Sequence, residues 1–256
     1  MWHRIAYTCH MKKRLDEALV EHGIVATRSR ARDAILRGLV RVNGKVVTKP
    51  AASAPLSAQL TVAREAGTHY VSRGALKLIA ALDHFGFEPV GRTVLDAGAS
   101  TGGFTQVLLE RGAARVAAVD VGHSQLDPKI AADPHVVSLE RQDIRTLDAR
   151  AIGAAPGAIV VDVSFISLTK VLPHLMQLAG PGCWLVALIK PQFEVGRDAV
   201  GKGGIVRDEA ARAQAIETLS NLVATTPGWT LAGVISSPIE GGSGNTEYLM
   251  GLTRDG

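Results

Sequence analysis

The sequence predicts a small α+β module followed by an α/β body with a mostly parallel sheet, and three observations carry that prediction. Asn43-Gly44 stands between two β-rich runs that follow two short helical stripes, the strongest short signal for a hairpin. From about residue 70 apolar strand-like runs alternate with helical stretches, as in a sheet covered on both faces. Within that body, residues 94–104 read V-L-D-A-G-A-S-T-G-G-F, a strand feeding a glycine loop at the start of a helix.

The module comes first. Leu15, Leu19 and Ile24 follow a helical stripe that Gly23 interrupts. Ser29 is placed to cap a second helix running to Arg37, with Ile35 and Leu36 on its buried side and Gly38 as its left-handed terminator. Residues 39–42 and 45–47 flank the Asn43-Gly44 turn, and 51–69, with Pro55 and Gly67, read as a last strand plus linker. Charge sets this module apart. Residues 1–62 carry 11 Lys+Arg against 4 Asp+Glu, net +7, whereas the remainder is −3. Such segregation is an electrostatic handle for a polyanion. Arg14, Arg28, Arg30, Arg32, Arg37 and Arg41 are the candidate RNA-binding residues, because a guanidinium fork pairs bidentately with phosphate oxygens. Arg14-Leu15-Asp16, Ser29-Arg30 and the run from Gly38 to Gly44 resemble an S4-type RNA-binding domain; structured RNA is read largely by shape and ribose hydroxyls.

In the body, helices are expected at 72–85, 103–110, 167–178 and 208–225. Strands are expected at 93–96, 116–120, 135–139, 158–163, 183–189, 230–235 and 247–252. Sheets of this kind bind ligands beyond the C-terminal ends of their strands. Asp96 ends one strand before Gly98, and Asp120 ends the next, where it can accept hydrogen bonds from a ribose. Position 100 is Ser, where a dinucleotide fingerprint needs its second glycine. The loop therefore suits a nucleoside ligand without a pyrophosphate, with S-adenosylmethionine the leading candidate over a dinucleotide or a structural turn.

Other polar residues fall on the same edge. Asp162 lies at the carboxyl end of the 158–163 run, and Lys190 ends a run of apolar residues and is followed by Pro191. A lysine held partly out of water is favoured in its neutral form and can act as a base. The turn-rich segment 240–245 predicts an antiparallel final strand, which returns Glu247 to that edge, and Lys77 lies on the first helix of the body within reach of it. The bland readings are a solvated lysine, a helix-capping aspartate and a surface ion pair. Residues 191–208, rich in glycine, read as a mobile loop or a plain connection.

Residues 12–253 resemble the TlyA family of ribosomal RNA ribose 2′-O-methyltransferases, also called haemolysins. The matching segments are Val71-Ser72-Arg73-Gly74 leading to Lys77, D-A-G-A-S-T-G-G-F-T from Asp96, D-V-S-F-I-S-L from Asp162, I-K-P-Q-F-E-V-G from Ile189, and G-N-T-E-Y ending at Tyr248. The resemblance implies a Rossmann-like class I methyltransferase domain at 70–256 behind an S4-type domain and linker at 12–69, with 1–11 as an extension. It implies a catalytic tetrad of Lys77, Asp162, Lys190 and Glu247. It also implies an S-adenosylmethionine site formed by Asp96, Gly98, Ala99, Ser100, Thr101, Gly102, Gly103, Phe104 and Val121, with Asp120 at the donor's ribose and Asp143 near its adenine. The implied partner is ribosomal RNA in ribosomal subunits, not DNA, and no metal is required.

Composition narrows the alternatives. An apolar fraction of 46% supports a core, and no apolar run reaches the roughly 18–20 residues that span a bilayer. Residues 1–10 lack the apolar centre of a secretory signal, and Cys9 and Cys183 are far apart, which fits a reducing cytoplasm. These features weigh against stable membrane insertion and a membrane-lytic activity. His3, Cys9 and His10 precede every recognisable element and are not read as a metal site. Ser100 disfavours a nicotinamide oxidoreductase, and the four tetrad residues disfavour an RNA-binding factor with a silent body.

Overall fold

The structure, a computed structural model, describes residues 12–25, 28–36, 38–55, 57–62, 69–241 and 244–256. The chain forms two compact units, Met1–Thr68 and His69–Gly256.

The first unit contains β1 (Lys12–Arg14), α1 (Leu15–Glu21), α2 (Arg28–Leu36), β2 (Val40–Val42), β3 (Lys45–Val46), β4 (Ser53–Pro55) and β5 (Leu60–Val62). β2 pairs antiparallel with β3 across the expected turn and with β5 on its other side, while β1 pairs with β4. Asn43 and Gly44 both take positive φ, 50° and 80°, as a tight two-residue hairpin turn demands. Leu15, Leu19, Ala31, Ile35 and Val40 form the core of this unit. Two local expectations fail. α2 is Arg28–Leu36, so position 29 falls inside the helix and not before it, and Leu36 is half exposed where burial was expected.

The second unit is a seven-stranded sheet of order β11-β12-β10-β9-β6-β7-β8. Its elements in chain order are α3 (Gly74–Phe85), β6 (Thr93–Ala97), α4 (Gly103–Glu110), β7 (Arg115–Asp120), α5 (Pro128–Ala131), β8 (Val136–Glu140), α6 (Ala149–Ile152) and β9 (Ala158–Val161). They continue with α7 (Leu172–Leu178), β10 (Trp184–Ile189), α8 (Pro191–Glu194), α9 (Glu209–Ala224), β11 (Trp229–Ser236) and β12 (Tyr248–Arg254). β12 lies antiparallel between β10 and β11, and the pairs from β10 through β9, β6 and β7 to β8 are parallel. Both faces are covered. Leu95, Ala97, Ile159 and Leu185 pack with α7 and α9 through Leu172, Leu175, Leu219 and Val223. Val94, Val160 and Val186 pack with α3 and α4 through Leu78, Leu82, Val107 and Leu108. Alternate residues of one strand thus serve opposite cores, the period-two rule of a buried sheet. The helix expected over 167–178 is broken into a 3-10 turn at Leu168–Lys170 and α7, since Pro173 has no N–H for a continuous helix. Among the described residues no helix is long and apolar enough to cross a membrane.

Candidate active site

The site is assembled where β6, β7, β9 and β10 end. β6 leads into Gly98, whose N–H donates to Val119 O (2.8 Å) while Asp162 N donates to Ala97 O (2.9 Å). Gly98 has φ 88°, and a Cβ there would lie 2.4 Å from Asp162 O. Only glycine meets both demands. Ser100 and Gly102 also take positive φ, and a Cβ on Gly102 would meet Leu126 Cδ1 at 2.8 Å. The loop ends at α4, against which residues 70–74 are laid: Val71 N donates to Gln106 Oε1 (2.8 Å), and a Cβ on Gly103 would strike Ser72 Oγ. The small residues Ser72 and Gly74 let this segment come close, and the Cβ position of Gly74 is 3.8 Å from Asp162 Oδ2.

Two lysine–carboxylate pairs result. Lys77 on α3 donates to Glu247, the residue before β12; their residues are only 8% and 3% exposed. Gly241 makes room for that carboxylate, because a Cβ there would be 2.3 Å from Glu247 Oε1. Lys190 Nζ is 2.7 Å from Asp162 Oδ1 and donates an aligned hydrogen bond to Ser164 Oγ (2.8 Å). The carboxylate contact is therefore an ion pair without hydrogen-bond alignment. The antiparallel register, Ile189 opposite Tyr248, is what brings Glu247 to the same edge as Lys190.

The glycine-loop residues separate into two sets. Ser100 and Val121 are exposed, Val121 by 72%. Asp120 accepts from Ser100 N on Oδ2 (2.8 Å) and from Gly122 N on Oδ1 (2.7 Å), which fixes the carboxylate and leaves each oxygen a further lone pair. Asp143 caps the 3-10 turn Ile144–Thr146, and the Arg145 guanidinium holds its carboxyl down at about 2, so it stays an acceptor at any physiological pH. Asp96, Ala99, Gly103 and Phe104 are buried instead. Phe104 joins the core with Leu78 and Val107. Asp96 is fully buried, accepts from Thr105 Oγ1 (2.6 Å), and is pushed up to about 7 by desolvation.

In the first unit, Arg14 and Arg28 both pair with the buried Asp16, at 3.0 and 3.1 Å, and with Glu17. Arg32 and Arg41 are exposed, and Arg41 Nη1 donates to Gly44 O (3.0 Å). Arg37 and the Arg30 side chain lie outside the described residues, as do His3, Cys9 and His10. Cys183 is buried, which pushes its thiol up to about 12.

Two residues escaped sequence reasoning. Phe165, three positions after Asp162, is 91% exposed at φ 65° with its ring 5.1 Å from Phe193. Glu194 accepts from Ser167 Oγ (2.6 Å) and Leu168 N (2.9 Å), and burial raises its carboxyl; it braces the loop that presents Phe165. An aromatic in the irregular stretch that follows the strand-end Asp162 is the one signal by which Phe165 could have been found.

A class I methyltransferase body carrying this edge of glycine loop and paired lysines agrees with the FtsJ-like methyltransferase family, which matches residues 70–254, and the S4 domain matches 13–53. The 16S/23S rRNA (cytidine-2′-O)-methyltransferase TlyA of Mycobacterium tuberculosis is 46% identical over 241 residues, covering 94% of this chain and 90% of the relative. Hemolysin A of Brachyspira hyodysenteriae is 40% identical, covering 92% of this chain and 98% of the relative. A solved Streptococcus thermophilus structure named as a hemolysin is 38% identical with a TM-score of 0.75, covering 96% of this chain and 90% of that one. This chain belongs to the TlyA family, an S4 domain joined to an FtsJ-like S-adenosylmethionine-dependent methyltransferase domain.

Proposed function

We propose that this protein methylates the 2′-hydroxyl of a ribose, a cytidine as in its named relatives, in ribosomal RNA within cytoplasmic ribosomal subunits. Residues 12–69 are the RNA handle with its linker, and 70–256 the catalytic domain. The observation that carries this reading is the convergence of the Lys190–Asp162 and Lys77–Glu247 pairs on the edge that holds the glycine loop and Asp120.

S-adenosylmethionine, when bound, supplies a methyl on a positively charged sulfur. Asp120 fits its ribose, Asp143 its adenine amino group, Val121 an apolar ring face, and the turn from Gly98 to Gly102 its remaining length. Everything else falls to the side chains. Lys190 takes the proton of the ribose hydroxyl at Nζ, which Asp162 and Ser164 hold in place. The buried Lys77–Glu247 pair fixes the floor of the site and orients the hydroxyl. Phe165 offers an exposed aromatic face on which the target base stacks. Holding hydroxyl and methyl in line supplies most of the rate.

The test is transfer of labelled methyl to purified small and large subunits lacking the modification, with the product nucleoside identified by mass spectrometry. Wild type should form 2′-O-methylcytidine, while Lys190→Ala should lose about 10²–10⁴-fold in rate with donor affinity by calorimetry unchanged. A base-methylated product, or loss of donor binding together with activity in Lys190→Ala, would overturn the assignment.

A further inference from the structure

Beyond Asp120, one more side chain is built into the donor loop. Residues 122–127 run as a strap across the glycine turn. Leu126 covers Gly102, and Asp127 N donates to Thr101 O (3.2 Å). The strap is anchored from below by Glu140 at the end of β8, which accepts from His123 Nδ1 (2.8 Å), Ser124 N (2.8 Å) and Gln125 N. In this strap Gln125 is exposed, yet its amide has a defined seat. Gln125 Nε2 occupies the space beside Gly122, 2.1 Å from where a Cβ would stand, and Asp120 Oδ1 borders the same point at 3.0 Å. Gln125 Oε1 accepts from Ser100 Oγ (3.5 Å). Gly122 does not take a left-handed φ, so what glycine provides there is room for the amide, not backbone freedom.

The chemistry of a ribose diol explains why an amide belongs at that place. Each oxygen of Asp120 already accepts one backbone N–H and can accept one hydroxyl proton besides. A hydroxyl that donates to Asp120 still has lone pairs to satisfy, and a carboxylate cannot satisfy them. Gln125 Nε2 borders the same point beside Gly122 as Asp120 Oδ1 and can donate to the oxygen of such a hydroxyl, while the Oε1 end of the amide is the one that faces Ser100 Oγ.

We propose that Gln125 is a second ribose ligand of the donor, holding one hydroxyl between its amide and Asp120 and selecting for an intact diol. The proposal rests on Asp120 binding the donor ribose. Calorimetry on the full chain tests it with S-adenosylhomocysteine and its 2′-deoxy and 3′-deoxy analogues. Gln125→Ala should weaken S-adenosylhomocysteine about 3- to 10-fold, and that penalty should fall below about 2-fold for one of the two deoxy analogues, since removing either partner removes the same bond. An equal penalty on all three ligands, or none on any, overturns the role of Gln125 alone. Unchanged affinity in Asp120→Ala overturns the ribose assignment of Asp120 and this proposal with it.

Discussion

Asp96, Asp120, Asp162 and Glu247 share the C-terminal edge of one sheet, and each is accommodated differently. Asp162 and Glu247 face lysines, and Asp120 is held by two amides. Asp96 has burial, one hydroxyl donor in Thr105, and the repulsion of Asp162 and Asp120, and these leave its carboxyl at about 7. The folded protein therefore binds a proton at Asp96 that the unfolded chain, with an ordinary value of 3.8, has already released. Stability from this group is present at low pH and is lost as pH rises from about 4 through about 7. Asp96→Asn removes the titration. The melting temperature of the variant relative to wild type should thus climb by a few degrees between pH 5 and pH 8, read by thermal denaturation at both. A difference that stays flat or falls would show that Asp96 is ionised in the folded protein at both pH values.

At the scale of elements, the pairing of Lys77 with Glu247 depends on how closely α3 lies on β12. The contact is made by Phe85 at the end of α3, whose ring lies 2.7–2.8 Å from where a Cβ of Gly251 would stand, with Gly233 of β11 against the same ring. A side chain at Gly251 must push the helix away. Gly251→Ala should destabilise the protein by about 1–3 kcal/mol and lower kcat, since Lys77 leaves Glu247; chemical denaturation and single-turnover methyl transfer measure the two. Unchanged kcat in a destabilised variant would mean that the α3–β12 contact serves stability alone. That contact was not legible in the sequence, where Gly251 is one glycine inside a strand pattern. The strands themselves were, because Leu95, Ile159 and Leu185 sit in apolar runs bounded by turns. So was the antiparallel return of β12, from Gly241 and Gly244 in its turn. The short α5, α6 and α8 left no periodicity to read: each is four residues, barely one turn. Of the site, spacing placed Lys190, Asp162 and Glu247 at strand ends. The burial of Asp96 and the exposure of Phe165 depend on which way a side chain leaves the backbone beyond the last regular residue, where alternation no longer applies.

For the whole molecule, the division of charge is the organising fact: a unit of +7 over residues 1–62 is tethered to a remainder of −3. The catalytic domain contributes an active edge and little general attraction for a polyanion, so affinity for RNA should reside in the first unit. Its arginines are not equivalent. Arg14 and Arg28 are committed to Asp16, whose carboxyl they hold below its usual range, so replacing them disturbs the fold of the unit as well as its charge. Arg32 and Arg41, exposed and outside that pairing, are the two on which a clean test rests. Reversing both, Arg32→Glu with Arg41→Glu, should weaken binding to ribosomal RNA and reduce the slope of log affinity against log salt by about 0.7 to 0.9 for each phosphate no longer neutralised. Donor affinity by calorimetry should not change, because every candidate donor ligand lies in the second unit. Methyl transfer should show a raised KM for the RNA substrate with kcat retained at saturation. An unchanged salt slope would move the electrostatic work to other residues of the chain, whereas a fall in kcat at saturating RNA would mean that the first unit sets the geometry of transfer besides supplying affinity.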